Sequence, residues 1–358
     1  MRPFSRLRPR QSSLEIEFRA HGGFVARPAS ARNSRSFTLV EVLVTLALLL
    51  VILVAVMQFM SMIEQAWQSA AADPYAEAQN AFEALAQNLA TATLEPYQDY
   101  ADTNGAFRTN SAFIPDHLAR RSDLDFVCGP GAGTNGLLTA SGRTTSGSGV
   151  FFLAPGGYTQ TYAHEGMERL FNAMGYFVEF GDDTTAPGFI LPQTHSWRWR
   201  LKEILQPSES LQIFATANSS NWIQQVVPPG AAAPVLAENV ILLLVLPERA
   251  ANDSGPALAP AFSYDSRDTT NLLTLHQLPP RLILVLVAID PVSAQRLAAQ
   301  NGSNPPPLVS AGLFQQAAQL NADLATLDGT LTAQKIDHRI FQREIQLNSS
   351  TWSNTPSP

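Results

Sequence analysis

Few residues of this chain are placed to do chemistry, and the one that stands out does so by its surroundings. Glu41 lies inside "FTLVEVLVTLALLLVILVAVM", residues 37 to 57, whose other polar members are Thr38 and Thr45. A carboxylate in so apolar a run is costly in lipid, so such a residue normally has a function. The chemistry open to it is electrostatic: it can hold a cation strongly where the dielectric is low. Elsewhere the reactive side chains are scattered. His164, His195, His276 and His338 show no metal-ligand spacing, and the chain has no G-x-S-x-G elbow, P-loop or H-E-x-x-H. "GPGAGTNG" (129 to 136) neither follows a convincing strand nor opens a helix, which predicts a flexible loop rather than a phosphate cradle. "GDD" with Thr184 and Thr185 offers oxygens for a calcium ion but reads better as a turn. The expectation is no catalytic residue, no cofactor and no metal.

The elements that must position Glu41 are clear. As a helix, the run from Phe37 to Met57 would be about 32 Å long, enough to cross a bilayer core. Residues 1 to 36 hold eight arginines against Glu15 and Glu17, which predicts a cytoplasmic N-terminus and a main body across the membrane. The chain's net charge of −7 is therefore carried wholly by the remainder, and an acidic body argues against a nucleic-acid partner. Cys128 is the single cysteine and has no partner for an internal disulfide. With 358 residues, 45% hydrophobic and 15% charged, the chain can bury an ordinary core.

Beyond the apolar run, Asp73 and Pro74 predict a helix that restarts or kinks there and ends at Pro96, with Tyr75, Ala78, Phe82, Leu85 and Leu89 on one stripe. "WRWRLK" (197 to 202) alternates as a half-buried strand with Arg198, Arg200 and Lys202 outward. "GVFFLAPGG" (149 to 157) and "GYFVEFG" (175 to 181) read as shorter strands. "NVILLLVLP" (239 to 247) and "RLILVLVAID" (281 to 290) are apolar on both faces and too short to span lipid, so they are expected as central strands. A helix over 312 to 329, capped by Gly329, and an edge strand over 335 to 347 complete the pattern. The class is α+β.

Three readings compete for the N-terminal run. A secretory signal peptide would need cleavage near "SAAAD" (69 to 73), too far beyond the apolar stretch. A plain signal anchor leaves Glu41 unexplained. The third accounts for it: "SFTLVEVLVTLALLL" resembles the N-terminal motif of type IV prepilins and type II secretion pseudopilins. That resemblance implies cleavage by a prepilin peptidase between Ser36 and Phe37, methylation of the new Phe37 amine, and Glu41 as fifth residue of the mature chain, facing that amine or a neighbour's. It departs from the family at Ser36, where glycine is preferred, and in its long leader.

The resemblance further implies a pilin-like α+β fold with a long N-terminal helix packed on a mainly antiparallel sheet. The divisions it suggests are a basic leader (1–36), a transmembrane helix half (37–60), an amphipathic half (61–96), an outer domain (97–350) and a flexible tail (351–358). Expected partners are prepilin peptidase, other pilin or pseudopilin subunits and inner-membrane lipid, with the main domain periplasmic. "YFVEFGDD", "LAENVILLLVLPE", "SYDSRD" and "HQLPPRLILVLVAIDPVSAQRLA" are, in order, similar to a prepilin-like family of Verrucomicrobial gene cassettes, cassette protein C, and to J-type minor pseudopilins. The reading is a structural subunit rather than an enzyme. Its rival is a signal-anchored envelope enzyme or ligand-binding protein.

Overall fold

A computed structural model describes residues 39–108, 111–133, 136–164, 166–167, 169–182, 196–215, 222–230 and 233–355. Two compact units divide the chain, residues 1–66 and 67–358. The first is dominated by helix α1, Leu39–Ala72, which begins at the apolar run and continues beyond it.

The second unit opens with α2, Ala76–Ala90, and then β1 (Tyr97–Ala101), β2 (His117–Arg121), β3 (Phe126–Pro130), β4 (Thr145–Pro155), β5 (Phe171–Gly181) and β6 (Arg198–Gln206). The short helix α3 (Trp222–Val226) precedes β7 (Val235–Glu238), β8 (Val240–Glu248), β9 (Tyr264–Asp265) and β10 (Arg281–Ile289). Helix α4 (Pro291–Asn301), helix α5 (Leu320–Ala333) and β11 (His338–Gln346) close the order. One sheet runs β11-β10-β8-β4-β5-β6-β7, with β3 on β4 and β9 on β3, while β1 and β2 pair separately. Every pairing is antiparallel except that of β4 with β8, which meet in parallel at the single pair Gly147 and Leu243. Gly147 has φ 72, and a Cβ there would lie 2.1 Å from the Leu243 carbonyl oxygen, so this junction needs glycine.

The two doubly apolar runs are the central strands β8 and β10, and Val240 to Pro247 is buried throughout. On α2 the expected stripe is inward: Tyr75, Ala78, Phe82, Leu85 and Leu89 are all buried. Phe82 meets Phe341 of β11 with ring centroids 5.6 Å apart, and Asn88 donates to the Tyr176 hydroxyl of β5 at 2.7 Å. The break between α1 and α2 falls at 73–75, where Asp73 Oδ1 accepts the Tyr75 N–H. Strand β11 lies at the end of the sheet path, as its pattern suggested.

Several boundaries differ from expectation. The α2 helix stops at Ala90 rather than at Pro96, because Thr93 leaves it to bridge Leu153, its N–H donating to that carbonyl at 2.9 Å. The helix expected over 312 to 329 is displaced to α5. Phe314 (φ 59) breaks the helical path, and Ala317 N–H is drawn to the Pro260 carbonyl. Gly329 is therefore inside α5, and the stop is a Schellman turn: Ile336 N–H reaches Leu331 O, Lys335 N–H reaches Thr332 O, and Lys335 takes φ 54. Helix α4 was not expected from the pattern, yet its start is local chemistry, with Asp290 Oδ2 accepting from Val292 and Ser293 and Pro291 first in the helix.

Strand β6 departs furthest. Arg200 and Lys202, expected to face solvent, are buried, and each finds a partner there: Arg200 donates to Glu238 and Lys202 to the Ala233 carbonyl. "GPGAGTNG" begins inside β3 and so does follow a strand; it leads only to a single 3₁₀ turn at Thr139–Ser141. Residues of the expected tail are tied down as far as Asn354, whose Oδ1 accepts from Arg249 and from Trp352.

Candidate assembly site

Helix α1 exposes its apolar side chains on all sides: Leu39 is 79% exposed, Val51 69% and Met57 66%. A soluble surface rarely carries so much exposed apolar side chain. Thr45, one of its few polar members, turns its hydroxyl back onto the Val42 carbonyl at 2.9 Å, so the helix displays almost no hydrogen-bonding group along this stretch. Among the described residues no helix is long and apolar enough to cross a membrane.

Glu41 falls in the first turn of α1, where a carboxylate also suits the positive end of the helix dipole; its side chain lies outside the described residues. Ser36 and Phe37 lie outside them too, as do His195 and the Asp183, Thr184 and Thr185 of the candidate calcium turn. The described histidines are not brought together. His338 pairs with Asp328 at 2.9 Å, whereas His276 sits beside the Phe107 ring with its pKa lowered, first by burial and then by Arg120 and Arg121. Among the described residues no group of three or more His, Cys, Asp or Glu could hold a metal ion.

Two polar contacts between distant parts of the chain escaped the pattern-based reading. One is the cross-strand pair of Arg200 and Glu238, 2.7 Å apart. The other is Asp125, which accepts the Trp222 indole N–H at 2.9 Å. Burial is the largest influence on Asp125 and pushes its pKa up to about 6, against the pull of Arg267 and of the Trp222 hydrogen bond. A carboxyl whose folded pKa is raised binds its proton more readily in the native state, so it favours folding at low pH and this contribution is lost as pH rises from about 4 through about 6. Asp125→Asn keeps an acceptor for Trp222 and is expected to flatten that part of the stability–pH curve, gaining at most about 3 kcal/mol at pH 8. Urea denaturation at pH 4.5 and pH 8 checks it; equal slopes in both proteins would refute the assignment.

The described residues thus form an exposed apolar helix with Glu41 near its start and, in the second unit, an α+β body. The chain matches the model of the prokaryotic N-terminal methylation motif over residues 31–57. The match is confined to this N-terminal motif. Among solved structures, a type IV-like pilin of Thermus thermophilus is similar at 12% identity, covering 76% of this chain and 94% of that chain, with a TM-score of 0.28. No curated protein matches the chain.

Proposed function

We propose that this chain is a minor pilin- or pseudopilin-like structural subunit, cut by prepilin peptidase between Ser36 and Phe37 and assembled through α1 into a type II secretion-like or type IV pilus-like envelope filament. The observation that carries the reading is the methylation motif over 31–57 running directly into a helix with apolar side chains exposed on every side. In this reading α1 is held by inner-membrane lipid before assembly and by the helices of neighbouring subunits afterwards, and the second unit is presented outside the inner membrane. The resemblance of the strand pair around Val240 and Leu284 to J-type minor pseudopilins supports a place near a filament tip.

Mass spectrometry of the chain purified from cells with an active prepilin peptidase is expected to find a mature N-terminus at N-methylated Phe37. A terminus at Met1, or between Ala71 and Asp73, would refute the proposal in favour of a plain anchor or a cleaved signal peptide.

A further inference from the structure

Strand β11 ends the sheet path, and β10 is its one strand partner among the described residues. Its bonding to β10 is fixed at both ends, where Asp290 N–H donates to the Asp337 carbonyl at 3.0 Å and Leu347 N–H to the Pro280 carbonyl at 3.2 Å. In an antiparallel ladder the backbone groups of alternate residues point to opposite neighbours. The register runs unbroken from Arg281 opposite Gln346 to Ile289 opposite His338. The odd-numbered residues of β11 therefore bond to β10, and His338, Ile340, Gln342, Glu344 and Gln346 turn their N–H and C=O groups away from the sheet. Among the described residues these outward groups have no partner.

Sheets usually blunt such an edge with a proline, a bulge, a covering element or unpaired charge. The opposite end of the path is treated in that way: β7 is four residues long, the register slips where it meets β6, and Glu77 Oε1 accepts the Glu238 N–H at 3.0 Å. Strand β11 is nine residues long, has no proline or glycine and shows no slip. Its charges are engaged within the chain. On the face that meets α2, Arg339 pairs with Asp73 at 3.0 Å and Arg343 with Glu83. On the other face, His338 pairs with Asp328 at 2.9 Å and Glu344 with Arg281 at 2.8 Å. That second face has an acidic excess, because Arg281 is shared between Glu344 and Glu248, the latter at 2.9 Å.

We propose that β11 takes up an extended segment of a partner protein as a further antiparallel strand, with basic side chains of that segment on the Glu344 face. The open ladder selects the occupant: donors and acceptors alternating at strand spacing are matched by another extended backbone, and not by a helix, whose own amides are already bonded. Charge selects within that class. Side chains directly opposite across an antiparallel pair share a face, so a basic residue opposite Glu344 meets the uncompensated carboxylate. A second copy of β11 paired antiparallel would instead bring its own acidic excess to the same face. The inference concerns the second unit alone and does not depend on filament assembly.

The test holds the full chain in phosphatidylcholine nanodiscs on a sensor surface, with empty nanodiscs as reference. The blocked peptide acetyl-Thr-Val-Lys-Thr-Thr-Val-Val-Thr-Lys-amide, laid from Gln346 back to His338, places its first lysine opposite Glu344. It is expected to bind saturably with half-saturation below about 1 mM. N-methylation of its fifth and seventh residues, whose amides face β11, should weaken binding at least about tenfold, whereas N-methylation of the fourth and sixth, which face away, should not. Replacing both lysines by glutamate should weaken it by a similar factor. In the chain, Gln342→Pro removes an outward donor and leaves the β10 ladder intact, so it should weaken binding likewise. Glu344→Lys should reverse the preference between the lysine and glutamate peptides. No saturation by about 10 mM peptide, equal effects of the two N-methylated pairs, or unchanged binding in both chain variants would each overturn the proposal. So would a dimer of the detergent-solubilised chain that Gln342→Pro abolishes, found in place of peptide binding, since it would give the edge to a second copy.

Discussion

Glu41→Ala is expected to leave cleavage between Ser36 and Phe37 largely intact while nearly abolishing incorporation of the chain into a filament with co-expressed pilin-like partners. The scissile bond and the basic leader are untouched by the change, so the peptidase still meets its substrate. What is lost is the counter-charge for the amine freed at Phe37, on the same or a neighbouring subunit. Removing one side of a charge pair held in low dielectric costs about 3–5 kcal/mol, which corresponds to roughly two to four orders of magnitude in association. The substitutions separate charge from size. Glu41→Gln keeps the size and loses the charge, and should fail nearly as badly as alanine; Glu41→Asp keeps the charge with a shorter reach and should fall between. Cross-linking to partner subunits in isolated membranes, scored beside cleavage state, decides the matter. Normal cross-linking by both the alanine and glutamine variants would show that the carboxylate is dispensable and would favour a plain membrane anchor.

That expectation was open to sequence reasoning because its signal is local: one acidic residue in an unbroken apolar run behind arginines. The stripe on α2 and the two central strands were legible for the same reason, since period and length are properties of a short window. Where contacts reach across the chain, the pattern misleads. The 3.6-residue spacing runs back from α5 through Leu313 and Ala317 because both residues also pack inward, although from a loop pinned to Pro260 and Asp323. The alternation in "WRWRLK" marked its charges as solvent-facing because charged residues are seldom buried unpaired, and the partner that makes burial tolerable, Glu238, lies 38 residues on.

Arg200 shows how much depends on such a distant partner. Its guanidinium is 1% exposed and donates from Nε to Glu238 Oε1 at 2.7 Å, from Nη1 to the Gly181 carbonyl at 2.7 Å and from Nη2 to the Ser196 carbonyl at 3.1 Å. One side chain thus ties the start of β6 to β7 and to the end of β5. Arg200→Ala is expected to destabilise the second unit by about 3–5 kcal/mol, because it leaves the Glu238 carboxylate only Arg198, 4.0 Å away, takes a donor from the Gly181 carbonyl and opens a cavity. Urea denaturation of a fragment beginning at Asp73 measures the loss as a lower midpoint with an unchanged slope. The variants can show which part of that loss is electrostatic. Arg200→Met fills most of the space and leaves the stranded carboxylate, so it should recover only the cavity share; adding Glu238→Gln removes the unpaired charge and should restore a further 1–3 kcal/mol or so. Equal stability of the single and double methionine variants would mean that Glu238, partly open to solvent, never needed its partner, and that Arg200 is held in the sheet by packing and its carbonyl bonds alone.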